Sequence, residues 1–166
     1  MSRKNADDVL AVVRAPAGRR ILGVALMGGL GVLLVTVAIT QPPANPAWLL
    51  FLIVLGGIAL WLAEAMRRAT SLSVELTREG LRCSDGERIA LIEEIETLER
   101  GTFAFKPSNG FLMKLRTKGP SRWRPGLWWR VGARVGIGGV TAASQAKAMA
   151  EMIAALKFEQ SENADR

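Results

Sequence analysis

The chain has 166 residues, of which 49% are apolar, and 22 Lys and Arg against 15 Asp and Glu give it a formal net charge of +7. It contains no histidine, which excludes Ser-His-Asp and Cys-His catalytic arrangements and the ordinary histidine ligation of zinc or haem. The single cysteine, Cys83, cannot form an internal disulfide and is typical of a reducing compartment. We therefore expect no catalytic residue, no metal ligand and no cofactor.

Two long apolar stretches follow the first 20 residues. A run of 43 residues that ends before Glu64 contains no ionisable side chain. As α-helices, residues 21–40 would span about 30 Å and residues 48–65 nearly as much, which is the length needed to cross the hydrocarbon core of a bilayer. The segment 41–46 (QPPANP) separates them, because proline lacks the N–H that a continuing helix requires. The sequence predicts a transmembrane helical hairpin over residues 21–66.

The charges on either side of the hairpin predict its orientation. The N-terminal tail, residues 1–20, is basic, Arg67 and Arg68 follow the second stretch, and the loop 41–46 carries no charge. Because basic residues near membrane ends stay on the cytoplasmic side, we expect both termini to be cytoplasmic in a multi-pass protein.

A cleaved signal peptide is the alternative for the first apolar stretch, with Arg19 and Arg20 as its basic region. The apolar part of a signal peptide is usually about 7–15 residues long. The 20 residues of 21–40, followed directly by a second stretch of similar character, favour the hairpin.

Small residues recur along both predicted helices. Such residues let helix backbones approach closely in lipid, where apolar side chains gain little by associating. We predict that they pack the helical hairpin on itself, and a docking face for a larger membrane complex or for a second copy of the chain is the alternative. The candidate packing residues are Ala25, Gly29, Gly56, Ala59 and Ala63.

After residue 70 the pattern changes to the alternation of polar and apolar side chains that is typical of half-buried strands. Turns are predicted at 79–80, 85–86, 106–110 and 118–120, and residues 93–99 fit either a helical turn or an acidic strand. The predicted strands cover residues 71–77, 81–84, 88–92, 101–105, 111–117, 123–129 and 130–137, and the last two are interrupted at 125–126 and at Gly132.

The last predicted element is an amphipathic helix that begins near Ala142. Its apolar side chains recur at helical spacing and predict a buried stripe, and the polar residues 159–166 predict a flexible tail. The stripe consists of Ala146, Met149, Ala150, Ile153 and Leu156. About six or seven short antiparallel strands closed by one helix predict a small α+β barrel or sandwich.

Three segments of this part resemble the bacterial pleckstrin-homology-like domains. They are residues 76–81 (LTREGL), residues 92–98 (IEEIETL) and residues 138–141 (GGVT), which lead into the helix. The resemblance covers residues 71–158 and implies an antiparallel β-barrel or sandwich capped by a C-terminal helix. Since these domains often follow two transmembrane helices, it also implies a bacterial inner-membrane protein with a cytoplasmic domain.

The most distinctive soluble segment is 100–134, which contains nine basic residues, no acidic one, and six Phe or Trp. A domain tethered close to a bilayer meets anionic lipid head groups before nucleic acid, so we expect membrane lipids rather than nucleic acid as partners. The alternative is that the tryptophans belong to the core and the arginines only follow the positive-inside bias. The candidate residues for binding a membrane surface or a partner are Arg116, Arg122, Trp123, Arg124, Trp128, Trp129 and Arg130.

Together these features predict a non-catalytic membrane protein whose cytoplasmic domain is an interaction or assembly module for a membrane complex. Its partner would be another membrane protein or a second copy of the chain. An anionic-lipid or membrane-surface sensor that uses segment 100–134 is the second hypothesis. An enzyme that uses carboxylates such as Glu93 or Glu96 is the third, although a solvated acidic face explains these residues more simply.

Overall fold

The computed structural model of the chain describes residues 9–99 and 108–164. These residues form an α+β structure, as predicted, while the predicted strand 101–105 lies outside the described residues. The helices and strands are β1 (Ala11–Arg14), α1 (Ala17–Thr40), α2 (Pro46–Ala69), β2 (Ser73–Leu76), β3 (Gly80–Cys83), β4 (Arg88–Leu91), β5 (Ile95–Glu99), β6 (Phe111–Arg124), β7 (Trp128–Ile137) and α3 (Ala143–Ala164).

Helices α1 and α2 form the predicted antiparallel hairpin. Each has 24 residues and is therefore about 36 Å long, and both are long and apolar enough to cross a membrane. The start of α2 is fixed by local chemistry, because Pro46 needs no hydrogen bond at the first helical position and the side chain of Asn45 accepts a 2.9 Å bond from the N–H of Ala47.

Glycine and alanine bring the two helices together near their middle. A Cβ on Gly56 would lie 2.8 Å from Cγ2 of Val35 and 3.2 Å from the carbonyl oxygen of Gly31, so neither glycine has room for a side chain. Ala59 and Ala63 are also buried. The prediction that small residues pack the helical hairpin on itself therefore holds for Gly56, Ala59 and Ala63.

The prediction is wrong for Ala25 and Gly29, which do not pack against α2 because both lie on an exposed side of α1. A Cβ on Gly29 would have no neighbour within 4 Å. Their spacing of four residues places them on one face of α1, but the helix is rotated so that a different face meets α2.

The helical hairpin is inserted between two neighbouring strands of one sheet. The four strands of this sheet are all antiparallel and lie in the order β1-β2-β3-β4. Strand β1 precedes α1 and pairs with β2, which follows α2, with Arg14 opposite Ser73 and Ala11 opposite Leu76. We call the two sheets together with α3 the β-domain, and the predicted basic tail therefore contributes a strand to it.

The second sheet contains the long β6–β7 hairpin, which doubles back on itself. Its order is β5-β6-β7, and the register between β6 and β7 shifts around Gly119. At the shift the hairpin folds over, so that its tip comes back to the far end of β7. There the N–H of Gly138, just after β7, donates a 2.9 Å bond to the carbonyl of Leu127 at the tip. The turn predicted at 118–120 is wrong, because β6 bends there without losing its pairing to β7.

The core lies between the two open sheets and α3. Helix α3 buries Ala146, Met149, Ala150 and Ile153, as predicted, and packs the partly buried Leu156 against the same core. The helix continues to Ala164, where the sequence predicted a flexible tail from residue 159 onward.

Side chains form hydrogen bonds with the backbone of three edge strands, β1 and β4 of the first sheet and β5 of the second. The N–H of Arg14 in β1 donates to Gln145, and the N–H of Leu91 in β4 donates to Glu94, both at 3.1 Å. In β5, Lys157 donates a 2.8 Å bond to the carbonyl of Glu96. Unpaired strand edges invite association with other strands, and these bonds reduce that tendency.

Candidate functional site

The β-domain packs against the end of the helical hairpin at which α1 begins and α2 ends. Gly126, at the tip of the β6–β7 hairpin, has so little space that a Cβ would lie 3.1 Å from Thr70 and 3.4 Å from Met66. On the other helix, the guanidinium of Arg19 donates a 3.0 Å bond to the carbonyl of Thr141. Both helices therefore contact the domain beyond their covalent connections to it.

A pair of tryptophans continues this contact along α2. The rings of Trp61 and Trp123 have centroids 6.4 Å apart and planes inclined by 40°. Both stay largely exposed, at 62% and 55% respectively. Trp61 precedes Met66 by five residues, so Trp123 lies about 8 Å farther along α2 toward its middle than the contact at Gly126.

The side chains beside Trp123 form one uncharged face of the β6–β7 hairpin. Trp123 is opposite Trp129 in the register, and alternation along the strands places Ser121 and Val131 on the same side. We call these four residues the tryptophan face. Together with Arg122 and Arg130 they line a shallow groove of about 460 Å³.

Trp129 is held in place by a close approach to the backbone of the same strand. A Cβ on Gly136 would lie 2.5 Å from the indole of Trp129. Because only glycine leaves this space, the ring of Trp129 can lie directly over the backbone of Gly136. Trp129 is consequently half-buried, while Val131 and Trp123 are more exposed.

Two arginines of β6 flank Trp123 and bind the β3–β4 turn. Arg124 lies 3.0 Å from Asp85 and 2.9 Å from Glu87, and Arg122 lies 3.3 Å from Glu87. The hydrogen bond that Arg124 donates to Glu87 raises the pKa of Arg124 above its ordinary value. Arg130 donates to backbone carbonyls instead, including that of Ile89 at 3.2 Å. These contacts occupy three of the arginines predicted to bind a surface.

The remaining predicted surface residues lie elsewhere. Trp128 is 1% exposed and belongs to the core, so its prediction as a surface residue is wrong. Strand alternation explains this, since Trp128 is on the opposite side of β7 from Trp129. Arg116 is exposed on the part of β6 that precedes the register shift at Gly119, near Glu96. The structure thus gathers Arg122, Trp123, Trp129 and Arg130 and leaves Arg116, Arg124 and Trp128 outside the groove. The part of segment 100–134 before residue 108 is outside the described residues.

Of the carboxylates considered for catalysis, Glu93 is exposed and Glu96 takes part in an ion pair. Glu96 lies 2.8 Å from Lys114, and this bond holds the pKa of Glu96 below its ordinary value. Glu94 accepts the backbone bond from Leu91. Cys83 is buried, and burial raises the pKa of its thiol. Among residues 9–99 and 108–164, no three or more Cys, Asp or Glu side chains cluster as a metal site would need.

The chain matches no family model, no curated protein and no solved structure. Its α+β class rests on the structure, and its resemblance to pleckstrin-homology-like domains stays a prediction.

Sequence reasoning missed the residues that connect the helical hairpin to the β-domain. Trp61 fits an aromatic belt by its position near Glu64, but nothing local to it indicates a partner more than 60 residues away at Trp123. Gly126 has a usable signal, since a Pro-Gly pair between two strands often marks a tight turn. That signal predicts the turn and not the helix against which it packs.

Proposed function

We propose that this chain is a non-catalytic bacterial inner-membrane protein whose pleckstrin-homology-like domain is an interaction or assembly module for a membrane complex. In this proposal α1 and α2 span the membrane and the β-domain is cytoplasmic. The observation that carries it is the insertion of the helical hairpin between β1 and β2.

This insertion favours presentation of the domain in one fixed orientation. Only two residues connect Arg14 to Ala17, and only three connect Ala69 to Ser73. The contacts at Gly126 add a third attachment. A domain held in this way cannot swing freely about a single linker, so its exposed surfaces keep a constant height and direction relative to the spans. That property suits docking to a partner in the same membrane.

The same pairing supports the predicted orientation. Because β1 and β2 are neighbours in one sheet, the two ends of the helical hairpin must lie on the same side of the membrane. That end of α2 carries Arg67 and Arg68, which both lie 2.6 Å from Glu64. The basic residues at this end favour the cytoplasmic side.

The non-catalytic assignment rests on the side chains that the chain offers. It has no histidine, its one thiol is buried, and Glu94 and Glu96 bind neighbouring backbone or lysine groups. A catalytic acid or base needs to reach a substrate, and Glu94 and Glu96 are already engaged, while the exposed Glu93 has no histidine or accessible thiol to act with.

Single introduced cysteines test the orientation. Cys83 is buried, so we expect Ala44→Cys, in the loop between α1 and α2, to react with a membrane-impermeant maleimide on intact spheroplasts. Arg78→Cys, in an exposed turn of the β-domain, should react only after permeabilisation. The reverse pattern would reject a cytoplasmic domain.

Photo-crosslinking in cells tests the assembly role. Phe158 is 71% exposed on α3 and Met152 is also exposed, so a photo-reactive residue at either position can reach a docked protein. We expect one discrete adduct with a membrane protein or with a second copy, whereas the same residue at Arg78 serves as the matched exposed control. Absence of any protein adduct from α3, together with purification of the chain alone in mild detergent, would argue against an assembly module.

A further inference from the structure

We propose that the tryptophan face, together with Trp61, is embedded in the interfacial region of the cytoplasmic leaflet, with phospholipid of the bilayer itself filling the groove. The β6–β7 hairpin would then be a third membrane-contacting element beside the two spans. The inference rests on the proposed membrane insertion of α1 and α2, and it does not depend on the proposed protein partner.

The chemistry of the face fits the boundary between head groups and acyl chains. Its four residues include two tryptophans and a valine and carry no charge. Tryptophan is enriched at this boundary because its ring is apolar and its N–H can still bond to water or to lipid oxygens. Trp123 and Val131 are 55% and 61% exposed, which is unusual for adjacent large apolar side chains facing only water.

The position of the face relative to α2 gives its depth. Trp61 lies in the apolar part of a helix long enough to cross a membrane, three residues before Glu64. Those three residues correspond to about 4.5 Å along the helix. Trp123 contacts Trp61, so it lies within one helical turn of the level at which α2 becomes charged. A side chain at that level, beside an exposed residue of the span, meets lipid.

Two arginines, Arg122 and Arg130, also line the groove, and both guanidinium groups bind elsewhere in the protein. Arg122 and Arg124 reach across to Glu87 and Asp85 in the β3–β4 turn. Asp85 and Glu87 offset two of the three positive charges of Arg122, Arg124 and Arg130, so the face should enter the interface mainly through its aromatic groups. We therefore expect little difference between zwitterionic and anionic lipids, which separates this proposal from a sensor of anionic head groups.

Brominated phospholipids test the contact directly, because bromine quenches tryptophan fluorescence only at short range. The full-length protein and its Trp123→Phe variant are reconstituted in nanodiscs of phosphatidylcholine or phosphatidylglycerol, with and without bromine near the glycerol end of the acyl chains. The difference between the two proteins isolates the emission of Trp123. Trp48→Phe is the matched control, since Trp48 is a similarly exposed tryptophan at the opposite end of α2.

We expect the Trp123 component to lose most of its intensity in both brominated lipids and to be shielded from iodide in solution. Quenching by iodide and not by bromolipid would overturn the proposal. Quenching confined to brominated phosphatidylglycerol would also overturn it, in favour of recognition of anionic head groups. If the Trp48 component is not quenched either, the proposed membrane insertion of α2 fails as well, and the two failures are thus distinguishable.

A second measurement separates lipid from protein as the cover of the face. Val131→Cys introduces a thiol on the face, and Arg78→Cys is the exposed control in the same domain. In nanodiscs that each hold one protein chain, a charged maleimide should label Val131→Cys several-fold more slowly than Arg78→Cys. Equal labelling in these nanodiscs, with protection appearing only when two copies share a nanodisc, would assign the face to a second copy and overturn the proposal.

Discussion

At the residue scale, Gly86 and Gly126 share a backbone conformation but not an environment. Their φ angles are +89° and +83°, in the left-handed region that favours glycine. A Cβ on Gly86 would meet open space, whereas one on Gly126 would lie 3.1–3.4 Å from side chains that include Thr70 and Met66 of the α2 end. The pair therefore separates the cost of the backbone conformation from the cost of disturbing the contact with α2.

We predict that Gly86→Ala lowers the free energy of unfolding by about 1–2 kcal/mol, the usual cost of the left-handed conformation. Gly126→Ala should cost more, because the added methyl group also pushes the hairpin tip away from α2. Thermal unfolding of the two variants in the same detergent measures the difference. Equal losses would show that the tip does not depend on its contact with α2.

The carboxylate of Glu87 joins two arginines of the β6–β7 hairpin to the β3–β4 turn, and its side chain is only 25% exposed. Glu87→Gln should lower the free energy of unfolding by about 1 kcal/mol, because Arg124 keeps only Asp85 as an ionic partner. The control is Glu151→Gln, whose pair with Lys147 is 4.0 Å long and exposed. Denaturant titrations should show almost no effect for the control, and equal effects would contradict the prediction.

Glu96 gives a prediction on pH. Its bond to Lys114 holds its pKa below the ordinary value in the folded protein. The pair therefore stabilises the fold above the unfolded pKa of about 4.3, and this contribution is lost as the pH falls through the lower, folded pKa. Lys114→Met should raise the pKa of Glu96 toward its ordinary value, as measured by carboxyl ¹³C NMR. Lys147→Met is the control and should leave it unchanged.

At the scale of elements, four glycines of the helical hairpin form two matched pairs. Gly31 and Gly56 face the other helix, where a Cβ would lie within 3 Å of a side-chain atom, and Gly29 and Gly57 face open space. We expect Gly31→Ala and Gly56→Ala to destabilise the packing of α1 on α2 by about 1–3 kcal/mol, since the helices must separate or repack. Gly29→Ala and Gly57→Ala should have little effect. Helix content during titration with a denaturing detergent distinguishes the pairs, and four equal responses would contradict this packing.

The elements that the sequence predicts well are those with a local signal. The apolar stretches of α1 and α2 need no tertiary partner to be recognised, and the stripe on α3 follows from helical periodicity alone. Strand β1 was missed because it has four residues and its partner, β2, lies beyond both helices. A bend within β6 and a turn between two strands cannot be distinguished here from the sequence, since Gly119 and Pro120 carry the same local signal in either structure.

The candidate site was predictable to about the same extent. Alternation along β7 requires Trp128 and Trp129 to face opposite ways, but the sequence does not say which side meets the core. The partners of Arg122 and Arg124 lie on a distant turn, at Glu87 and Asp85, and such long-range ion pairs have no local signal. For this reason the sequence alone does not show that the charges of Arg122 and Arg124 are paired within the protein.

At the scale of the molecule, Arg14 and Ser73 lie opposite each other across β1 and β2, so a two-residue turn could replace residues 15–72. We predict that the shortened chain, with this turn in place of residues 15–72, folds as a water-soluble β-domain. A fragment of residues 71–166 lacks β1 and should be less stable by at least about 2 kcal/mol, because it loses the fully buried side chain of Val13. Urea unfolding of both measures the difference, and equal stability would show that β1 is dispensable.

The placement of β1 also determines when the domain can fold during synthesis. The ribosome makes β1 before both helices of the hairpin and β2 after them, so the sheet cannot close until the whole helical hairpin has been translated. If only one span crossed the bilayer, β1 and β2 would be stranded on opposite sides and β2 would keep an unpaired edge. In the proposed membrane topology, completion of this sheet would therefore depend on the insertion of both helices.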